Sequence, residues 1–308
     1  MRPLSIVQVC ADRGIAPGST KGAAQHLRGI ATGLSDAGHS VTTYTSRRQD
    51  GPFPVPVHDL DELPSIDPSN VDVIYERYSL GHRGGLDLAR RIGARFVLEV
   101  NAPLVSEAQV HRPHTVEPEH FDIERTLLSE ADLVITVSNE LTRWADLTRS
   151  GATVTIPNGF EPDWFTSSKR PSTEPTMAFI GHPKPWHGAD RLPFLLRALA
   201  DRDKHPHLIV IGGGPGADEV IQRARKLGVA DQITITGALP PDEASALLTE
   251  ATIGIAPYPR QVPFYFCPLK IIDYLAAGLP IVSTRQGDIA DLVGDAGIIV
   301  DPERDEDL

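Results

Sequence analysis

Short apolar runs alternate along the chain with longer segments of helical periodicity. In the first half, residues 22–37 have the helical pattern, and Gly38 ends it. Strand-like runs occur at residues 4–10, 40–44, 71–75, 95–100, 133–137 and 153–156. Because most of these runs are followed by polar or Gly-containing turns, the alternation predicts right-handed βαβ units and a parallel sheet.

A polar segment then interrupts the alternation. Residues 166–176 (TSSKRPSTEPT) contain two prolines and have no periodicity, which is typical of an interdomain linker. Afterwards the alternation restarts, with helical patterns at residues 218–227 and 241–250. Further strands are predicted at residues 177–180, 207–211, 232–236, 254–257, 281–283 and 297–300.

The pattern therefore predicts two Rossmann-like α/β domains. We assign residues 1–166 to an N-terminal domain, 167–176 to the linker and 177–308 to a C-terminal domain. Open parallel sheets bind ligands beyond the carboxyl ends of their strands. A central cleft between the two domains is thus the expected active site.

Composition narrows the class of partner. The chain has 308 residues, of which 41% are hydrophobic and 23% charged, and its formal net charge is −12. An acidic chain argues against a nucleic-acid partner, which favours a basic face. Cys10 and Cys267 lie far apart and form no metal or redox motif, so a reduced cytoplasmic setting is expected. No stretch of about 18 apolar residues predicts a membrane span, while peripheral membrane contact stays open.

Two glycine-rich turns are candidate phosphate sites. Residues 16–22 (APGSTKG) lie between the first strand and a helix, and Gly18 and Gly22 permit close backbone approach. The turn matches neither G-x-G-x-x-G nor a Walker loop, so it does not favour NAD or ATP as a ligand. The alternative is a plain loop between a strand and a helix. Residues 212–216 (GGGPG) open another helix, but they lack the spacing of a dinucleotide fingerprint.

Residues 263–280 (PFYFCPLKIIDYLAAGLP) are the most informative stretch. Pro268 suits a first helical turn, and Gly278 is expected to end a helix over residues 269–277. Residues 266–270 then offer N–H groups at a helix start, and Lys270 adds a positive charge. The carboxylate of Asp273, one turn further, can accept hydrogen bonds from two vicinal ribose hydroxyls. The alternative is a capped amphipathic helix with Asp273 exposed to solvent.

Residues 268–280 (PLKIIDYLAAGLP) resemble the P-L-K-x-x-E-Y-x-A-A-G-x-P form of the E-x₇-E region of family-four retaining glycosyltransferases. Weaker matches run in the order of that family along the rest of the chain. They are residues 21–22, 38–39, 99–104, 156–160 with Phe165, 181–188, 212–215, 236–237 and 256–258.

The resemblance implies a GT-B fold and a nucleoside-diphosphate sugar, of UDP or GDP type, as donor. It implies transfer to an acceptor hydroxyl with retention at the anomeric carbon, without a metal or cofactor. In this interpretation Asp273 binds the ribose, the main chain of Leu239 holds the base, and Gly22 faces the diphosphate. The backbone of Phe266, Cys267, Pro268, Leu269 and Lys270 meets the diphosphate and the donor sugar.

Several positions depart from the family pattern. Tyr265 stands where the first acid of E-x₇-E is expected. His182 and His187 replace the usual Arg and Lys, which leaves Lys184 and Lys270 as the expected cations. Lys184 either contacts phosphate or is a surface lysine beside Trp186.

Asn101 stands where many members have His, and it either lines the site or caps a turn. Glu107 is a weaker candidate for acceptor binding, in an expected acceptor loop over residues 107–120. The helix N-terminus and a lysine are expected to stabilise the negative charge that grows on the leaving diphosphate. The leaving phosphate is expected to take the proton of the acceptor.

Three further expectations complete the interpretation. His111, His114 and His120 are not expected to bind metal, because no cysteine joins them and Pro113 breaks a helical face. Chains of this fold usually finish with further helices, so the C-terminal crossover helices are expected to be missing after residue 308. The alternatives to a transferase are a GT-B nucleotide-sugar epimerase and a non-catalytic nucleotide-sugar-binding partner of another transferase.

Overall fold

The computed structural model describes residues 2–19, 21–165 and 174–303. The chain divides into two compact units, Met1–Asn158 and Gly159–Leu308. Each unit contains one parallel sheet with helices packed against it.

In the described residues of the first unit, seven strands form a sheet in the order β3-β2-β1-β4-β5-β6-β7, with every neighbouring pair parallel. The strands are β1 (Ser5–Cys10), β2 (Ser40–Thr45), β3 (Val57–Asp59), β4 (Val73–Arg77), β5 (Arg95–Val100), β6 (Leu133–Thr136) and β7 (Ala152–Thr155). The helices are α1 (Gly22–Asp36), α2 (Gly84–Ile92), α3 (Leu104–His111), α4 (Pro118–Glu130) and α5 (Asn139–Asp146).

The central strands of this sheet are buried on both faces. Consecutive residues of a strand point to opposite faces, and Val7, Gln8, Val9 and Cys10 of β1 are each at most 5% exposed, as expected where helices cover both sides of a parallel sheet. In α1, Ala24, Leu27 and Ala31 are buried at the spacing of one helical stripe. The strand order reverses between β1 and β4, which makes the carboxyl ends of these two strands the expected ligand position of the unit.

The described residues of the second unit form a six-stranded parallel sheet in the order β10-β9-β8-β11-β12-β13. Its strands are β8 (Thr176–Ile180), β9 (His207–Ile211), β10 (Ile233–Ile235), β11 (Ile253–Ala256), β12 (Ile281–Thr284) and β13 (Gly297–Val300). Its helices are α6 (Leu192–Ala200), α7 (Pro215–Leu227), α8 (Pro241–Glu250), α9 (Leu269–Ala276) and α10 (Ile289–Val293). The order reverses between β8 and β11.

Tyr274 of α9 joins the two strands at this reversal. Its hydroxyl donates to the carbonyl of Ile255 at 2.9 Å and accepts the N–H of Ile180 at 3.2 Å. Its ring lies on Gly254, where an added Cβ would come within 2.5 Å of the ring. The tyrosine therefore holds α9 against β8 and β11, the two strands between which the strand order reverses.

The unit boundary differs from the predicted domain boundary. The 3₁₀ turn Pro162–Phe165 packs against α8, and Phe165 contacts the core of the second unit. This segment therefore belongs to the second unit and not to the N-terminal domain predicted to end at residue 166. Residues 167–173 of the predicted linker lie outside the described residues, and Thr176 is the first residue of β8.

The predicted pattern of strands and helices is confirmed with shifts of one to three residues at some ends. The short edge strand β3 was not predicted, since three residues give too little alternation to recognise. The prediction of a loop over residues 107–120 is wrong. Val105 and Ala108 bury one side of α3, and α4 begins at Pro118, so helix occupies most of that range.

Replacing Tyr274 by Phe keeps the ring but leaves the Ile255 carbonyl and the Ile180 N–H without their partner. Because an unpaired buried polar group costs about 1–3 kcal/mol, we expect the free energy of unfolding of the second unit to fall by about that amount. Urea denaturation followed by the fluorescence of Trp164 and Trp186 measures it. Tyr44→Phe is the control, since the Tyr44 hydroxyl makes no hydrogen bond among the described residues. Equal losses in both variants would contradict the role of the Tyr274 hydroxyl.

Candidate functional site

The N-terminus of α9 is open. The preceding residue is Pro268, and no side chain in the described part of the chain caps the helix. The first N–H with a backbone partner there is that of Ile271, which donates to the Pro268 carbonyl at 3.0 Å. An uncapped helix start has free N–H groups and a partial positive charge, which together favour an anion.

Lys270 lies in the first turn of α9 and is only 6% exposed. Its Nζ is 4.7 Å from the ring centroid of Phe179 and 4.8 Å from that of Tyr258, which are cation–π distances. Burial lowers the pKa of Lys270 to about 7, although the charge of Asp273 opposes this shift. Among the described residues, no carboxylate lies within 4.0 Å of this ammonium group.

Asp273 lies one turn after Lys270 and is half-buried. Burial raises its pKa to about 7, and the charge of Lys270 opposes the rise. Its carboxyl group makes no hydrogen bond to any residue that the structure describes. Such a group has free acceptor positions for hydroxyl donors.

The turn after β8 places His187 beside Tyr258, one of the two rings that contact Lys270. The rings of His187 and Tyr258 have centroids 6.2 Å apart. The Nδ1 of His187 donates to the carbonyl of His182 at 2.7 Å, because a carbonyl can only accept, and Nε2 is then an acceptor. Burial, then the charges of Lys270 and Lys184, lower the pKa of His187 to about 4, so it is neutral at pH 7. Lys184 itself is exposed.

Glycines in the two predicted phosphate turns allow other backbone segments of the chain to come close. A Cβ on Gly212 would lie 2.3 Å from the Gly181 carbonyl oxygen. One on Gly216 would lie 2.1 Å from that of Pro183. In the first unit, Gly18 has φ +82° and its Cβ would lie 2.5 Å from the Gly51 carbonyl oxygen. The close approach expected at Gly18 is thus to another loop of the chain.

The remaining predicted residues divide between the two units. Gly22 is the exposed first residue of α1 in the first unit. In the second unit, Leu239 precedes α8 and its side chain packs on the core, which leaves its main chain for any contact with a base.

Phe266, Cys267, Pro268 and Leu269 lead into α9 beside Tyr265. The ring of Phe266 is 4.2 Å from that of Phe264 and 6.0 Å from that of Tyr258, measured between centroids. The residues at the start of α9 therefore line up beside the rings that surround Lys270.

A second group of polar side chains lies at the carboxyl edge of the first sheet. Glu99, 2% exposed, accepts the Tyr75 hydroxyl at 2.7 Å and an Arg77 N–H at 3.1 Å. It also contacts Nε2 of His26 at 2.6 Å and accepts from the side-chain amide of Asn101. Burial alone would raise the pKa of Glu99, but His26, Arg77 and Asn101 hold it well below its usual range. We call these five residues the Glu99 cluster.

Of the Glu99 cluster, sequence reasoning singled out only Asn101 as a site residue. The signal for the others is a charged side chain inside an apolar strand, which is present at Glu99 in FVLEV and at Arg77 in VIYER. His26 carried no such signal, because one histidine on an amphipathic helix usually only packs against the sheet.

No helix in the described residues is both long enough and apolar enough to cross a membrane. The same residues contain no group of three His, Cys, Asp or Glu side chains arranged to hold a metal ion. His120 is one of the three histidines that are not expected to bind metal. It accepts a hydrogen bond from the backbone N–H of Glu117 at the start of α4.

Residues 174–308 match the family model described as "Glycosyl transferases group 1", and the match includes α9 with Lys270 and Asp273. A D-inositol 3-phosphate glycosyltransferase of Acidothermus cellulolyticus is 25% identical over 267 residues, which cover 76% of this chain and 57% of the relative. A GDP-mannose-dependent alpha-(1-6)-phosphatidylinositol monomannoside mannosyltransferase of Mycolicibacterium smegmatis is 26% identical over 70% of this chain and 59% of its own. The chain spans 24% to 59% of the length of the curated relatives it matches.

The fold is also found in solved structures. Anabaena HepE, crystallised in complex with UDP-glucose, superimposes with a TM-score of 0.70. The two proteins are 17% identical, and the alignment covers 99% of this chain and 87% of HepE. The chain therefore has the GT-B fold, and its residues 174–308 are similar to the family described as glycosyl transferases group 1.

Proposed function

We propose that the protein is a glycosyltransferase of carbohydrate biosynthesis. It moves a sugar from a nucleoside-diphosphate sugar to an acceptor hydroxyl, with retention at the anomeric carbon and without a metal. The observation that carries the proposal is the open start of α9, with the buried ammonium of Lys270 on one side and the unpartnered carboxyl of Asp273 one turn further.

The donor is assigned to these groups by charge. A diphosphate supplies the anion that a buried, unpaired ammonium and a helix N-terminus both favour. The adjoining ribose supplies two vicinal hydroxyl donors for Asp273, which lies 3 residues after Lys270 on one face of α9. The main chain from Phe266 to Leu269 then contacts the diphosphate and the sugar.

The remaining predicted residues have supporting roles in this proposal. The exposed Lys184 reaches phosphate, and the free Nε2 of His187 accepts a hydroxyl of the donor sugar. The main chain of Leu239 holds the base, and Gly22 stays a prediction for the first unit. Asn101 binds a sugar hydroxyl.

The chemistry follows from where charge develops. As the anomeric C–O bond breaks, its electron pair moves to the diphosphate, and negative charge grows there. Groups arranged in advance around that charge contribute a few kcal/mol each to the transition state. Lys270 and the N–H groups of α9 supply this stabilisation, so the proposed step needs no metal ion.

The nucleoside of the donor is either uridine or guanosine in this proposal. The Anabaena structure holds UDP-glucose, and the mannosyltransferase of Mycolicibacterium smegmatis is named as GDP-mannose-dependent. Both nucleotides are therefore the first ligands to test.

A thermal-shift screen with UDP, GDP, ADP and dTDP tests donor binding. We expect UDP or GDP to stabilise the protein, by about 2.7 kcal/mol at about 100 times the dissociation constant. Asp273→Asn should reduce the shift, since the amide replaces one acceptor oxygen by a donor. Asp291→Asn on the exposed face of α10 is the matched control and should keep the full shift. No stabilisation by any of the four nucleotides would refute the donor site.

Lys270→Met tests the role of the ammonium group in turnover. We expect release of nucleoside diphosphate from the nucleotide sugar to fall by about 10²–10³-fold, as for the removal of one preorganised charge-stabilising group. Lys226→Met, in the last turn of α7, is the matched control. The rates are measured by coupled detection of the released diphosphate. A Lys270→Met variant as fast as the Lys226→Met variant would show that this lysine does not act on the leaving group.

The coupled burial of Lys270 and Asp273 predicts an unusual pH dependence of the ligand-free protein. Between about pH 4 and 7, folded Asp273 keeps a proton that the unfolded chain releases, so stability falls as the pH rises. Between about pH 7 and 10, folded Lys270 lacks a proton that the unfolded chain holds, so stability rises with pH. The pair therefore contributes a minimum of stability near pH 7.

Melting temperatures from pH 5 to 9 measure this minimum. The double variant Lys270→Met/Asp273→Asn should lose it, and a bound nucleotide should reduce it by supplying the missing anion. The double variant Lys226→Met/Asp291→Asn is the control and should keep it. If both double variants show the same pH dependence, the minimum has another cause.

A further inference from the structure

The chain leaves β11 through a short buried segment with two prolines, residues 256–259 (APYP), which we call the APYP segment. Proline has no backbone N–H, so two of the four residues cannot donate a main-chain hydrogen bond. The N–H of Tyr258 turns back to the carbonyl of Ala256 at 3.0 Å. Buried carbonyls that leave a sheet in this way need other partners.

Two side chains bind the carbonyl in the middle of the segment. The hydroxyl of Thr284 donates to the Tyr258 carbonyl at 2.7 Å. Nη1 of Arg191 donates to the same carbonyl at 3.3 Å and to that of Pro257 at 3.2 Å. Thr284 is 0% exposed, so its hydroxyl lies entirely within the second unit. The main chain of Tyr258 is therefore held from both β12 and the turn that carries Arg191.

The two ends of the APYP segment are held in the same manner. The hydroxyl of Ser283 donates to the carbonyl of Ala256 at 2.8 Å. The side-chain amide of Gln286 donates to the carbonyl of Pro259 at 3.0 Å. Both side chains are buried. Each carbonyl of the segment thus accepts from a side chain, and the segment has little freedom to move.

The turn that carries Arg191 is itself anchored. Gly188 begins it with φ +69°, and a Cβ there would collide with the carbonyl oxygen of Pro257. The N–H of Arg191 donates to the Gly188 carbonyl at 3.0 Å. On the other side, the guanidinium of Arg223 donates to the carboxylate of Asp190 at 3.2 Å. Arg191 therefore reaches the APYP segment from a turn of fixed position.

The ring of Tyr258 passes this constraint on to Lys270. Its centroid lies 4.8 Å from Lys270 Nζ, and its other side packs edge-on against Phe264 at 5.4 Å between centroids. Cation–π attraction is significant only within about 6 Å of the ring centroid, so a small displacement of the ring weakens the contact. The same displacement would admit water to the ammonium group.

We propose that Thr284 and Arg191 are positioning residues for Lys270, because they hold the Tyr258 carbonyl and thereby keep the Tyr258 ring against the ammonium group. Both act through Tyr258. The inference rests on the proposed function for one point only, namely that Lys270 acts on the leaving diphosphate.

The experiment uses the full chain labelled with ¹³C at lysine Cε and observed by NMR from pH 5 to 10. Lys270→Met assigns the Lys270 signal by its absence. In the unsubstituted protein we expect a Lys270 pKa of about 7, since burial lowers it, and Cε proton signals moved upfield by the adjacent rings. Among the described residues, the titratable groups that face Lys270 are Asp273 on its own helix, His187 and Tyr258, and every test variant keeps them.

Two substitutions remove the donors to the Tyr258 carbonyl. Thr284→Val keeps the shape of the side chain and changes no charge, and Arg191→Met removes the guanidinium. In both variants the upfield displacement should shrink and the pKa of Lys270 should rise towards its ordinary value, because looser packing admits water. The conservative variants Thr284→Ser and Arg191→Lys keep a donor and should restore most of the original signal.

Thr249→Val and Arg202→Met are the matched controls. These side chains also donate to main-chain carbonyls of the second unit, those of Ala246 and Ala198, and should leave the Lys270 signal unchanged. Turnover of the nucleotide sugar is measured on the same samples. In Thr284→Val, kcat for diphosphate release should fall about 10- to 10²-fold, as for a misplacement of about 1 Å, while KM stays close to its original value.

The inference is overturned if Thr284→Val and Arg191→Met lower the melting temperature but leave the Lys270 signal and pKa as in the controls, since their role is then only structural. If one of the two does not fold, the other decides. If the Lys270 signal moves as expected but Lys270→Met releases diphosphate as fast as the unsubstituted protein, the proposed role of Lys270 in transfer fails and the positioning stands.

Discussion

The ammonium group of Lys270 is held between the rings of Phe179 and Tyr258 with no carboxylate beside it among the described residues. Burying an unpaired charge is unfavourable, and the ring faces compensate only in part. The fold supports this arrangement from three directions, since Phe179 belongs to β8, Tyr258 follows β11 and Lys270 begins α9. Tyr274 locks the same helix onto the same two strands. The core of the second unit therefore surrounds a cationic side chain that has no carboxylate partner among the described residues.

The first unit has the same strand order but balances its charges internally. Glu99 takes part in four hydrogen bonds, and the positive charge of the Arg77 guanidinium matches its negative charge. The Glu99 carboxylate therefore differs from the Lys270 ammonium in having a partner of opposite charge within its own unit.

Sequence patterns predicted what depends on local periodicity. The strands and helices repeat at distances that a short window contains, and the proline–lysine–aspartate spacing of α9 lies within six residues. The Glu99 cluster depends on contacts between residues far apart, such as His26 and Glu99, which are 73 positions apart. The glycines show the same limit. A sequence reveals that close approach is allowed at Gly18, but only the fold reveals that the approaching group is Gly51.

The functions that the sequence left open differ in the number of substrates that they need. A protein that only binds a nucleotide sugar, or an epimerase that rearranges it, has no second substrate to hold. In the first unit, the buried Glu99 carboxylate has His26, Arg77 and Asn101 as hydrogen-bond partners. Of the three functions, only transfer consumes an acceptor hydroxyl together with the donor, so an acceptor-dependent release of diphosphate distinguishes the proposed transferase from both alternatives.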